Sequence, residues 1–181
     1  MPASFDEMIA FLRQAAAADV PHTGGSYLGH IVSVYRDLKK WGYDDDVAHG
    51  GLFHSIYGTG LFQKFKLPLE RRADVQALIG ERAERLAYLF CAVVYDSLDQ
   101  EIERGTPPYQ MTDRLTGEPI AISEQDFDDL LRIQLVDRLE QIPRSKEWDF
   151  RRDAYRRMAE RLGPHAVAEF ERVFALETEP A

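Results

Sequence analysis

Apolar residues recur at intervals of three and four along much of this chain, the spacing of one face of an α-helix. Ser26 precedes the clearest such segment as a helix cap, and Gly42 follows it as a stop. The stripe within this segment consists of Leu28, Ile31, Val32, Tyr35, Leu38 and Trp41. Because a helix with one apolar stripe must bury it against neighbours, the sequence predicts an all-α helical bundle.

Further cap residues predict where other helices of the first half begin and end. Ser4 and Glu7 form a capping box before the segment MIAFLRQAAAA. The aspartates at 44–46 place negative charge at the start of VAHGGLFHSI, an almost wholly apolar and therefore buried short helix. Pro68 is suited to the start of the next helix, and Gly80 is expected to stop it.

The second half of the chain begins with ERAERLAYLFCAVVYDSLDQEIERG, which predicts one long amphipathic helix. Two β-prone runs around the Thr-Gly pair at 116–117 predict a small hairpin. Ser123 caps FDDLLRIQLVDRLEQI, which Pro143 is expected to end, and two more helices are expected at 146–176. With no repeat and no linker, residues 1–181 are expected to form a single domain.

The charge balance limits the partners of the chain. Asp and Glu number 31 against 22 Lys and Arg, a formal charge of −9 that disfavours binding to nucleic acid or an anionic membrane. A single cysteine, Cys91, excludes an intramolecular disulfide and a Cys-rich zinc site, as in a reducing cytosol. The chain has no signal-peptide pattern and no apolar run of membrane-spanning length. We therefore expect a cytoplasmic protein with a small-molecule partner, and the sequence leaves a homodimer open.

Three residues on apolar helical segments are candidate metal ligands. His30 lies in YLGHIVSVY, His54 ends GGLFH, and Asp137 is central in LLRIQLVDRLEQI. A charged residue is rarely buried without a partner, and a bound cation would supply one for Asp137. Two imidazoles and one carboxylate would form a facial site for iron(II), manganese or zinc. In the alternative, Asp137 points to solvent beside Arg138, and Asp96 is the fallback carboxylate.

The same residues give the chain a resemblance to a known family. LGHIVSVYRDLKKWGYDDDVAHGGLFHSIYGT, ADVQALIGERAERLAYLF and LVDRLEQI follow one another as in the HD-domain superfamily of helical metal-dependent phosphohydrolases. Within it, the chain resembles the guanosine tetraphosphate hydrolases of the stringent response. The resemblance covers about residues 22–142 and implies an HD-domain-like bundle in which His30, His54 and Asp137 bind a metal ion.

The chain departs from this family at the residues after His54. Ser55 stands at the signature Asp, and YGT, residues 57–59, replaces an acidic pair. Because serine is a neutral, weak ligand, tetraphosphate hydrolysis is not expected. Ser55, Tyr57 and Thr59 are the candidate catalytic residues, and their hydroxyls are expected to orient a bound ligand. Turn and cap roles are the alternative for Tyr57 and Thr59.

Other residues can extend the site. His22 is a candidate third imidazole or substrate contact, with an ordinary loop histidine as the alternative. Arg82 and Arg85 are candidates for an anionic group, since Arg binds phosphate or carboxylate bidentately, and the alternative is a charged helix surface. His49 lies about 140° from His54 on an ideal helix, so the two are not expected to share a metal. His165 is expected to be structural.

Three functions follow from these residues. The first is a metal-dependent hydrolase of a small phosphorylated or anionic metabolite. The second is an iron(II) enzyme of oxygen chemistry, because two histidines and one carboxylate leave open positions on the ion. The third is a degenerate HD domain without metal, which binds a ligand or another protein. The third function is suggested by Ser55, which stands where the HD-domain family has its signature Asp.

Overall fold

The computed structural model describes residues 2–15, 21–22 and 25–177. It is mostly helical with a small hairpin, which confirms the predicted fold class. Its helices are α1 (Phe5–Gln14), α2 (Tyr27–Lys40), α3 (Asp45–Leu52), α4 (Arg72–Ile79), α5 (Glu81–Ala92), α6 (Tyr95–Arg104), α7 (Glu124–Ser145), α8 (Arg152–Leu162) and α9 (Pro164–Phe174), with a 3-10 turn at Leu69–Arg71. Its strands are β1 (Pro21–His22), β2 (Gly25–Ser26), β3 (Tyr109–Thr112) and β4 (Pro119–Ile122). Within the described residues, none of the helices combines the length and apolarity needed to cross a bilayer.

The strands form two small antiparallel pairs. β3 pairs with β4 in the predicted hairpin, with Tyr109 opposite Ile122 and Thr112 opposite Pro119. The turn between them contains Gly117 at a φ of 79°, a conformation that favours glycine. β1 pairs with β2 just before α2, a pair that the sequence did not predict.

The predicted helix caps are confirmed by side-chain hydrogen bonds. In each case the side-chain oxygen accepts from the backbone N–H three residues later, which satisfies a donor that the helix leaves unpaired. The predicted caps that bond in this way are Ser4, Ser26 and Ser123. Asp44, which was expected only to place negative charge at the start of α3, caps that helix in the same way. Helix starts were therefore predicted well from local chemistry.

Three predicted helix boundaries were wrong. The long helix expected after Gly80 breaks at 93–94, where both valines adopt extended backbone angles between α5 and α6. Pro143 does not end α7, because the helix continues to Ser145 and the N–H of Lys146 still bonds to the carbonyl of Ile142. The short apolar helix α3 ends at Leu52, so His54 lies in the following turn.

Helix α3 lies at the centre of the bundle and packs against α2, α5 and α7. Close approach depends on two glycines: a Cβ at Gly51 would overlap the side chain of Leu38, and one at Gly50 would lie 3.0 Å from the Cβ of Leu86. Both glycines are buried. The chain after α3 therefore emerges between α2 and α7, where the candidate ligands lie.

Candidate metal centre

The three predicted ligands converge at this position. The Nε2 atom of His30 lies 3.0 Å from Oδ1 of Asp137 and 3.3 Å from Nε2 of His54. The His54 Nε2 atom lies 3.4 Å from the same carboxylate oxygen. The Asp137 side chain is only 14% exposed, whereas Asp96 is exposed to solvent. The alternative in which Asp137 faces solvent and Asp96 supplies the carboxylate is therefore wrong.

These distances fit a single divalent ion. Metal bonds of about 2.1 Å place neighbouring ligand atoms about 3.0 Å apart in an octahedral site and about 3.4 Å apart in a tetrahedral site. The three distances in the cluster span 3.0 to 3.4 Å. Three donors at mutual distances of this size can occupy one face of a coordination sphere and leave its other positions open.

The outer nitrogen of each histidine faces an acceptor. Nδ1 of His30 lies 2.6 Å from Oε2 of Glu140, and Nδ1 of His54 lies 2.7 Å from the carbonyl oxygen of Gly51. Because these oxygens accept hydrogen bonds, each Nδ1 carries the proton. In its neutral form, each imidazole would then direct the lone pair of Nε2 towards the other histidine and towards Asp137. A proton or a metal ion between these atoms makes such a convergence favourable.

The pKa shifts of His30 and Asp137 also indicate that a positive charge is favourable at the centre of this cluster. Burial lowers the pKa of His30, but hydrogen bonds to Asp137 and Glu140 outweigh it and raise that pKa to about 9. Burial raises the pKa of Asp137, yet the two histidines hold it well below its usual range. The carboxylate is therefore ionised, and a proton on His30 and a divalent ion compete for the same place.

Two residues of the centre were missed in the sequence. Glu140 and Gln141 follow Asp137 by three and four positions and so lie on the same face of α7. Glu140 also binds the guanidinium of Arg144 at 2.7 Å, and the Gln141 amide donates to Asp137 Oδ1 at 2.6 Å. The available signal was the sequence DRLEQ at residues 137–141. It indicates that Glu140 and Gln141 lie close to the candidate ligands only if Asp137 is already known to face inward.

Exchanging Glu140 for glutamine is expected to weaken divalent-ion binding by roughly 10 to 100-fold, because a neutral amide is a poorer acceptor for the His30 Nδ1 proton. Titration calorimetry with zinc or manganese measures the change. Glu124→Gln, near the exposed start of the same helix, is the matched control and should bind as the wild type does. Equal affinities of the two variants would contradict this role of Glu140.

A cavity of about 70 Å³ adjoins His54 and Asp137. Aromatic and aliphatic side chains, hydroxyl groups and one amide make up the rest of its wall, namely Leu61, Phe62, Phe90, Ser55, Thr59, Tyr95 and Gln141. None of its described lining residues is Lys or Arg. The metal centre therefore opens towards a small, largely uncharged space.

The structure separates the three hydroxyl residues that were expected to orient a ligand. Ser55 and Thr59 line the cavity, although Ser55 Oγ donates to the Tyr27 hydroxyl at 3.2 Å. Thr59 Oγ1 accepts from the backbone N–H of Phe62 at 3.0 Å and so also shapes its loop. The hydroxyl of Tyr57 instead donates to Glu84 at 2.8 Å and does not line this cavity.

The two candidate arginines lie elsewhere. Arg82 is paired with Asp129, and Arg85 is paired with Asp126 at 2.9 Å. Asp129 precedes Asp137 by eight residues, which is about 12 Å along a helix. The structure thus assigns both guanidinium groups to interhelical ion pairs, which agrees with the charged-surface interpretation more closely than with binding of an anion at the metal centre.

The remaining histidines are not part of the described cluster. His49 stacks on Tyr35 with ring centroids 6.1 Å apart, as expected for a residue that shares no metal with His54. His165 contacts Trp41 edge-on at 5.1 Å, in agreement with a structural role. The side chain of His22 lies outside the described part of the structure, so its role as a ligand stays a prediction.

Comparison with known proteins adds one match. The model of a domain of unknown function, DUF6817, matches residues 11–94, a segment that includes α2, α3 and α5 and carries His30 and His54 but not Asp137. No curated protein matches the chain, and no solved structure matches it. The resemblance to the HD-domain superfamily therefore stays a prediction.

Proposed function

We propose that the chain is a hydrolase that depends on one divalent metal ion, held by His30, His54 and Asp137. The observation that carries the proposal is the convergence of their three donor atoms within 3.4 Å, with each imidazole oriented by an acceptor on its other nitrogen. When bound, such an ion supplies a Lewis acid and a water nucleophile near neutral pH. Iron(II), manganese and zinc all suit this donor set.

The surrounding residues prepare the site for this chemistry. Glu140 and the carbonyl of Gly51 fix the orientation of the two imidazoles. Because the imidazoles are already oriented, the reaction requires no further free energy to reorganise them. Phe62 and Phe90 restrict water on one side of the cavity, and Phe90 packs edge-on against His54 at 4.6 Å. Tyr95, at the start of α6, also lines the cavity, and we propose that its hydroxyl hydrogen-bonds a substrate there.

The cavity limits the part of a substrate that reaches the ligands. Its volume of about 70 Å³ is well below that of a typical ligand pocket, so it suits only a small reacting group. We propose a small metabolite as substrate, with a phosphate or another anionic group bound mainly through the metal ion. Because Arg82 and Arg85 are paired elsewhere, a substrate with little charge beyond the reacting group suits the site best.

Hydrolysis by the metal-loaded protein is the test of this proposal. A panel of small phosphate esters, carboxylic esters and amides is incubated with protein that carries zinc or manganese, and with chelated protein. We expect turnover to require the ion and to fall at least about 100-fold in Asp137→Asn, since the charged ligand is lost. Asp128→Asn should keep activity, because it removes another carboxylate of α7, one that pairs with Arg161 of α8. Turnover that persists after chelation and in Asp137→Asn would contradict the proposal.

A second candidate function is iron-dependent oxygen chemistry. Two histidines and one carboxylate on one face, next to a cavity walled by aromatic rings, favour it. Anaerobic reconstitution with iron(II) followed by air distinguishes the two: an oxygen-dependent spectral change supports the oxygenase, and oxygen-independent hydrolysis supports the hydrolase.

The third candidate, a metal-free binding module, is favoured by the ability of a protonated His30 to neutralise Asp137.

A further inference from the structure

We infer that Gln141 is a fourth protein ligand of the metal centre, through its side-chain carbonyl oxygen; this inference rests on the metal ion of the proposed function. The amide group of Gln141 lies 2.6 Å from Oδ1 of Asp137 and 3.5 Å from Nε2 of His30. These separations are close to those among the three ligand atoms themselves. Gln141 also lines the same cavity as His54 and Asp137.

The amide has the chemistry that the position needs. Its nitrogen donates to Asp137 as the structure has it, and a half-turn of the terminal torsion exchanges nitrogen and oxygen nearly in place. A cation attracts the oxygen lone pairs and repels the NH₂ group, so binding of an ion favours the turned amide. Carbonyl oxygen is an established ligand type for manganese and similar hard ions.

The loop after α3 does not fill this role. Ser55, which stands where the resemblance places a ligand, donates its hydroxyl hydrogen to Tyr27 and is a weak ligand. Helix α7 instead presents Asp137 and Gln141 one turn apart on the same face, next to Glu140. A rigid helix would thus supply two ligands and the residue that orients a third.

Gln141→Leu tests this inference by removing the oxygen at similar side-chain size. An amide oxygen is a neutral ligand and a weaker one than an imidazole or a carboxylate. We therefore expect zinc and manganese affinity, measured by titration calorimetry, to fall roughly 10 to 100-fold, less than on loss of His54 or Asp137. Gln134→Leu is the matched control, because Gln134 is a buried glutamine of the same helix that lies outside the cluster. Its ion affinity should equal that of the wild type. Gln141→Glu keeps an oxygen and adds charge, so it should bind at least as tightly as the wild type.

Nuclear magnetic resonance tests directly whether the Gln141 side chain contacts the ion. In isotope-labelled wild-type protein, the side-chain carbonyl carbon signal of Gln141 should shift on addition of zinc, while that of Gln134 should stay in place. An unshifted Gln141 signal, or a Gln141→Leu affinity within about twofold of the wild type, would overturn the inference. If His54→Ala loses the ion in the same experiment, the proposed metal site stands without Gln141. A wild type that binds no ion would overturn both.

Discussion

His54→Ala is expected to abolish stoichiometric divalent-ion binding and, with it, catalysis. The substitution removes one of three converging donors and leaves His30 and Asp137, which pair with each other at 3.0 Å. Loss of an imidazole ligand should exceed the roughly 10 to 100-fold effect of losing an outer partner, so we expect affinity to fall at least about 100-fold. Elemental analysis of purified protein and calorimetric titration measure the loss.

His49→Ala is the matched control for this variant. His49 is also a buried histidine of the α3 region, with 8% exposure, but it packs on Tyr35 and lies outside the ligand cluster. It should lose packing and keep the ion. Undiminished ion binding by a folded His54→Ala protein, with circular dichroism like that of the wild type, would contradict the assigned ligand set.

Glu84→Ala is expected to lower the free energy of unfolding by about 2 kcal/mol or more, because a buried carboxylate that accepts hydrogen bonds from three side chains is lost. Glu84 is fully buried on α5. It accepts from Tyr57 at 2.8 Å, from two nitrogens of Arg72 at 2.7 and 2.9 Å, and from Gln76 at 3.0 Å. Without the carboxylate, the Tyr57 hydroxyl loses its acceptor in a buried position and Arg72 loses its counter-ion.

Urea denaturation of Glu84→Ala and Glu81→Ala measures this effect. Glu81 is exposed on the first turn of the same helix, so its substitution should change stability by no more than about 0.5 kcal/mol. Equal stabilities of the two variants would contradict the structural role of Glu84. Because Tyr57 follows His54 by only three residues, the same network holds the turn that carries this proposed metal ligand.

Local chemistry made much of the fold predictable. Helix caps such as Ser26 and Ser123 bond to residues within one helical turn, so a short stretch of sequence is enough to identify them. The apolar stripe of α2 likewise indicates, from that segment alone, which face of the helix is buried. The convergence of the three candidate ligands was predictable for a related reason. His30, His54 and Asp137 occupy apolar segments, where a polar side chain requires a partner.

The features that were not predicted from the sequence depend on contacts between residues far apart in the chain. The break at 93–94 interrupts a helical pattern that continues on both sides, and there Val93 bridges to Asp113 of the hairpin segment. Arg82 and Arg85 have the composition of an anion site, but their partners on α7 are more than 40 residues away. Tyr57 was placed at the site by its position after His54, whereas its hydroxyl is directed towards α5.

The central claim is that His30, His54 and Asp137 bind one divalent ion. Its most direct test is elemental analysis of wild-type protein purified without a chelator or affinity tag, combined with calorimetric titration of the metal-depleted protein with iron(II), manganese and zinc. The account predicts close to one ion per chain, and uptake of at least one of these metals by the depleted protein. Folded wild-type protein that is isolated without metal and takes up none of the three ions would contradict it.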